Sequence, residues 1–159
     1  MNPLTSLFMA IVVNKTLTVK SPAFVNNGHI PAKYTCDNAG INPPLTIGGV
    51  PEEAQSLVLI VDDPDAPGKT FDHWLMWNIP VTGKIEENSA PGVQGRNSRK
   101  ENKYMGPCPP RGIHHYHFRM YALDVMLEIS PDSDKEDLLK AMDGHIVASG
   151  ELIGLYAKQ

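Results

Sequence analysis

The sequence predicts a mainly β fold: an antiparallel β-sandwich-like domain with one or two small peripheral helices. Three observations carry this. Gly 13 and Pro 14 in 159 residues favour short strands joined by many turns over long helices. Apolar runs rich in β-branched and aromatic residues recur at strand length, as in Leu57 to Val61 and His73 to Ile79. A long stretch with strict two-residue alternation follows, in "HHYHFRMYALD".

In chain order, Thr16-Leu-Thr-Val-Lys20 alternates and reads as a strand. Residues 21 to 51 are turn-rich, with Pro43-Pro44 and Gly48-Gly49, and leave room for one or two short strands. Leu57–Val61 is a continuous apolar run and predicts a strand buried on both faces. His73–Ile79 is a second such run, in which Trp74 and Trp77 read as core or pocket wall. Residues 81 to 113 are too long and too rich in Gly and Pro for a plain connection, and loops of that kind are often functional. In the next strand His115, His117, Arg119 and Tyr121 share one face, and Tyr116, Phe118, Met120 and Ala122 the other. Ser133 and Glu136 form a predicted capping box for a helix with Leu138, Leu139 and Met142 as its apolar stripe and Gly144 as its stop. A final strand, "HIVASGELIGLYAK", closes the chain. Met76, Met105, Met120, Met126 and Met142 read as core filling.

Composition narrows function. Apolar content of 42% and charged content of 20% are those of an ordinary globular protein, so residues 1–159 are read as one domain. A net charge of −4 without a basic run gives no electrostatic case for nucleic acid. The opening "MNPLTSLFMAIVV" lacks a basic region and a cleavage signal, so residues 1–14 are read as a loosely ordered lead-in. No run reaches the ~20 apolar residues of a membrane span, and a cytoplasmic location is the default expectation. Cys36 and Cys108 form no CxxC pair. Two reduced structural thiols are the expectation, with a disulfide between them as the alternative.

The chemistry-bearing residues sit at strand ends. Asp62, Asp63 and Asp65 follow one buried strand, His73 opens the next, and His114 opens a third after a Pro/Gly loop. Brought together, these ends suit a small anionic or metal ligand. Asp beside Pro also satisfies turn N–H groups locally, which is the structural alternative. Asp62 and Asp63, adjacent in extended chain, must point to opposite sides. No G-x-S-x-G, H-E-x-x-H or P-loop is present. Cys108 lies between prolines, without a helix N-terminus to activate it.

"DDPDAP" at 62–67, "HWLMWNIP" at 73–80, "GPCPPRGIHHYHF" at 106–118 and "GHIVASGELIGLY" at 144–156 resemble the phosphatidylethanolamine-binding protein family, in its bacterial and archaeal Raf kinase inhibitor-like branch. "IPAKYTCDNAGINPPL" at 30–45 resembles it too, so the similarity runs from about Ser21 to Tyr156. The resemblance implies antiparallel sheets around a small anion pocket. By position it assigns Asp63, Asp65 and Pro67 to the family's D-P-D-x-P motif, His73 to the His before the second strand, and His114 and Tyr116 to the G-x-H-R-Y segment. It makes the Pro107–Pro110 loop, with Cys108, part of the rim. His115 stands where the family has Arg, removing a permanent cation, and Ile47 stands where bacterial members have Trp. A carboxylate beside two imidazoles is expected to raise their proton affinity, so that protonated His73 and His114 donate to an anion while Asp63 orients both. The expected ligand is phosphate, acetate or a phospho-head group, with a kinase or protease as the protein partner. No cofactor, resident metal or catalysis is expected. The readings rank as a regulatory binding module, then a serine protease inhibitor working through the Pro-rich 106–112 or 81–105 region, then a metal enzyme using His73, His114 and Asp63.

Overall fold

A computed structural model describes residues 15–159; the predicted lead-in at 1–14 lies outside them. Among these residues ten strands form two sheets. The larger sheet runs β1 (Lys15–Thr16), β10 (Ile146–Ala157), β9 (Ile113–Leu123), β5 (Ser56–Asp63), β6 (Phe71–Ile79), β8 (Val93–Gln94), with β3 (Gly28–His29) also on β10. The smaller sheet is β2 (Thr18–Lys20), β4 (Leu45–Gly48), β7 (Lys84–Ile85). The long strands pair antiparallel, as predicted, while the short β1 and β3 run parallel to β10. Strand 16–20 is a correction: it is two strands in different sheets. Buried Leu17 lies between them, its N–H donating to the Ser149 carbonyl, and the chain changes sheets there.

β5 is buried at every residue, as its continuous apolar run requires. Its two faces meet different partners. Leu57, Leu59 and Val61 pack between the sheets with Trp74, Met76, Phe118 and Met120. Val58 and Ile60 pack outward with Leu75, Trp77, Leu138 and Met142 under the helix α1 (Lys135–Met142). Of the methionines expected in the core, Met126 is an exception, 56% exposed. Leu139, expected in the helix stripe, also faces solvent.

The helix starts one residue later than predicted. Asp134 is the N-cap: its carboxylate accepts from Asp137 N–H at 3.0 Å, and the Asp137 carboxylate accepts from Asp134 N–H at 3.2 Å. Ser133–Glu136 and Asp134–Asp137 offer the same box spacing, and Ser and Asp cap equally well. Tertiary contacts decide between them, because Ser133 is buried and its carbonyl accepts the Arg96 N–H. The helix ends at Met142, and Gly144 takes the left-handed φ of +81° that turns the chain into β10.

Asp62 continues the outward face of β5. It is 4% exposed and is met by the Arg119 guanidinium at 3.2 Å and the Lys135 ammonium at 3.4 Å. Lys135 also reaches Asp72 at 2.6 Å, so one buried carboxylate ties β5, β6 and β9 to the start of the helix. Replacing it leaves two partly buried cations short of their counter-charge. We expect Asp62→Asn to lower unfolding free energy by about 1–3 kcal/mol in urea melts.

Candidate functional site: a carboxylate–histidine pocket

Asp63 continues the inward face of β5, beyond Val61. His114 and Tyr116 continue the inward face of β9, in alternation with buried Phe118 and Met120. His73 arrives by another route. Val61 pairs with Trp74 and Asp62 with Asp72, so β6 carries one extra residue, His73, at a bulge. Simple alternation would place His73 with Leu75 and Trp77 on the helix side; the bulge turns it inward.

These side chains line a cavity of about 300 Å3. Its polar floor is Asp63, His73, His114 and Tyr116. Its walls are Ala66, Pro67, Phe71 and Met105, and its rim is Gly106, Pro109, Pro110 and both cysteines. Arg99 is the one permanent cation among the described residues that line it.

The hydrogen bonds fix each group's role. Asp63 Oδ2 accepts from His114 Nδ1 at 2.6 Å, both side chains buried. Asp63 Oδ1 accepts the Asp65 N–H at 2.8 Å. Turn chemistry and site building are therefore the two oxygens of one carboxylate. With Nδ1 engaged, His114 presents Nε2 to the cavity. His73 differs from expectation. Its Nδ1 lies 2.7 Å from the Met105 carbonyl oxygen, which can only accept, so Nδ1 carries the proton. Burial pushes the His73 pKa below its ordinary value, against the smaller upward pulls of that carbonyl and of Asp63. Asp63 thus orients His114 alone, and His73 is a neutral ring whose Nε2 is an acceptor. Burial, then Asp63 and Asp65, push the Tyr116 pKa up, so it stays a neutral phenol. Its ring stands edge-on to His73 at 5.2 Å and nearly parallel to His114 at 6.3 Å.

Asp65 does not line the cavity, a correction to its predicted place. Its carboxylate accepts both the backbone N–H and the Nδ1 of His115 at 2.7 Å, and the side-chain bond in particular holds it below the usual carboxylate range. Residue 115 lies on the outward parity of β9, so His115 braces the 64–67 turn from outside.

The thiol expectation is overturned as well. Cys36 and Cys108 form a disulfide across a separation of 72 residues. A bond closing so long a span stabilises by about 2–4 kcal/mol. Cys108 is therefore not a nucleophile. Sequence reasoning did not single out Arg99. It sits on a loop organised by buried Asn97, whose side chain accepts from Arg99 N–H and Glu101 N–H and donates to the Lys103 carbonyl. The anomalous length of 81–113 was its one signal. Among the described residues no group of three or more His, Cys, Asp or Glu is placed to hold a metal ion, and no helix is long and apolar enough to cross a membrane.

Residues 20–157 match the family model for phosphatidylethanolamine-binding protein. The chain belongs to this family. It is 50% identical over 150 residues to a UPF0098 protein of Pyrococcus abyssi, covering 87% of this chain and 84% of that one. A UPF0098 protein of Methanothermobacter thermautotrophicus is 47% identical over 150 residues, covering 89% and 99%. Among solved structures, a phosphatidylethanolamine-binding protein homologue from Chlamydia trachomatis superposes with a TM-score of 0.88 at 44% identity, covering 92% of this chain and all of that one. YbcL of E. coli, described as a new member of the mammalian family, gives 0.83 at 26% identity, covering 90% and 99%. The family resemblance and the predicted β fold both stand.

A neutral buried histidine makes a signed prediction. The unfolded chain protonates His73 below its ordinary pKa of about 6.5, and the folded protein resists doing so. Unfolding then takes up a proton, so stability falls as pH drops through about 6.5, until the lower folded pKa is reached. The difference in unfolding free energy between wild type and His73→Asn should shrink over that window and stay flat above pH 7. Urea melts from pH 5 to 8 measure it.

Proposed function

We propose that the cavity binds a small mono-anion that keeps a hydroxyl, such as a singly ionised phosphomonoester or dihydrogen phosphate, and that the protein works as a binding module rather than a catalyst. The supporting observation is the unequal treatment of its two histidines. Bound to an anion, His114 would hold a proton on each ring nitrogen, Nδ1–H to the buried Asp63 carboxylate and Nε2–H to the ligand, while His73, whose Nδ1–H is held by the Met105 carbonyl, offers a lone pair. A fully deprotonated anion leaves that lone pair facing another acceptor. A ligand with both an acceptor oxygen and a hydroxyl satisfies both rings. Arg99, among the lining residues, adds a permanent cation to the cavity. The apolar walls of Pro67, Phe71 and Met105 suit a short organic substituent on the anion.

A regulatory role follows if the bound anion belongs to a partner. The protease-inhibitor reading has less support, because Pro107 and Pro109 are buried and Pro109 and Pro110 line the cavity, which leaves only a short exposed stretch at 110–112. The metal reading loses support too, since Asp63 has both oxygens committed to protein donors. Both cysteines that line the cavity are held in the disulfide and neither is an activated nucleophile, which favours binding over turnover.

Titrating phosphate into 13C- and 15N-labelled protein at about pH 6 should move the ring resonances of His73 and His114 and leave half-buried His145, outside the cavity, unmoved. Asp63→Asn should weaken binding by about tenfold or more, as loss of a charge-assisted hydrogen bond predicts. Equal affinity in the variant, or a response confined to distant histidines, would remove this pocket as the anion site.

A further inference from the structure

We propose that the Cys36–Cys108 disulfide is a redox-sensitive clasp on this pocket, so that a dithiol reductant loosens the rim and weakens anion binding. The proposal rests on reading the cavity as an anion site. Both cysteines line that cavity, and both are solvent-exposed. An attacking thiolate therefore reaches the sulfurs from the ligand's own side, and access of this kind is a condition for exchange.

The two sides of the bond are held very differently. Cys36 sits on a braced turn. Thr35 Oγ donates to the Ala32 carbonyl and accepts the Asp37 N–H. The Asp37 carboxylate in turn accepts from the Tyr156 hydroxyl and the Gln159 N–H at the end of β10. The opposite side, residues 106–112, belongs to no strand or helix. Pro107, Pro109 and Pro110 have no N–H to donate. Among the described residues this segment makes one hydrogen bond, from Cys36 N–H to the Pro107 carbonyl at 3.1 Å. Apart from packing, the disulfide is its remaining tie. Gly106 shows how close that packing is: a Cβ there would lie 2.6 Å from the Tyr34 carbonyl oxygen.

Loosening this segment reaches the ligand groups directly. Met105, next to Gly106, accepts the His73 ring N–H and donates its own N–H to the His73 carbonyl. A rim released at 106–112 therefore frees both the wall at Pro109 and Pro110 and the residue that orients His73. In the exchange, one thiolate of the dithiol attacks a cysteine sulfur and the other cysteine leaves as a thiolate, which takes a proton. The reductant's second thiol then displaces the mixed disulfide. Two electrons and two protons pass to Cys36 and Cys108, and the reductant leaves as its own disulfide.

The test uses the full wild-type chain. Oxidised protein is compared with protein reduced by millimolar dithiothreitol without denaturant. Thiols are counted by alkylation and intact mass, folding is followed by near-UV circular dichroism, and phosphate affinity by the His73 and His114 resonances. We expect both thiols to be released in folded protein, phosphate affinity to fall about tenfold or more, and reoxidation to restore it. A Cys36→Ser/Cys108→Ser variant should match the reduced protein; if it does not fold, the reduction and reoxidation cycle decides. Folded, reduced protein binding phosphate within about twofold of the oxidised form overturns the clasp and leaves the anion pocket standing. Resistance to native reduction, or unfolding on reduction, makes the bond a structural staple and overturns the clasp as well. Oxidised protein that binds no phosphate overturns the anion reading and the clasp with it.

Discussion

A β-strand sends consecutive side chains to opposite faces, and the pocket depends on how the chain uses that constraint at the end of β5. Asp62 and Asp63 are neighbours with unrelated duties. Asp62 is drawn outward to Arg119 and Lys135, where it pins the helix. Asp63 is drawn inward to His114 and the 64–67 turn. A slip of one residue would exchange them, burying a carboxylate against Phe118 and Met120 and leaving Arg119 and Lys135 without the carboxylate they share. The fully apolar run before them, sandwiched between two cores, makes such a slip costly. Register in this strand is thus enforced by packing and spent on chemistry.

The second half of the constraint is its local violation. His73 reaches the pocket because β6 takes an extra residue opposite Val61. Bulges commonly re-aim a side chain beside a functional site. Here the bulge puts His73 and Trp74 on the same inward side, one at the cavity and one in the core. Met105 then locks the ring from a third element through a pair of hydrogen bonds.

This explains what could be read from the sequence. The buried strand 57–61, the alternation along 114–122 and the opposed aspartates follow from a period of two, which the sequence displays directly. The strand-end Asp and His residues were visible as candidates for the same reason. The neutral state of His73 was not, because it depends on a bulge and on a carbonyl 32 positions away. Asp65 was misplaced because the sequence gives no sign that His115 would claim both its backbone and ring contacts. The disulfide was left open because pairing depends on the approach of two loops 72 residues apart. The helix start slipped by one because two equivalent boxes overlap and a contact from Arg96 decides between them.

The charge balance of the site follows from the same placements. Losing the family Arg at position 115 looked, in sequence, like a loss of affinity for anions. In the fold, His115 points outward and occupies the Asp65 carboxylate with its backbone N–H and its ring Nδ1, away from the cavity lining. Asp63, the acidic group left inside, is consumed by donors from His114 and Asp65. The cavity therefore presents no free carboxylate oxygen to repel an anion, although "DDPDAP" reads as an acidic turn. Arg99, carried in by the loop that Asn97 organises, supplies the permanent positive charge. An acidic protein, with a net charge of −4, in this way sets one permanent cation beside a carboxylate whose oxygens are both engaged by protein donors. On the proposed anion reading, selectivity would rest on the pair of imidazoles, one backed by a carboxylate and one by a carbonyl.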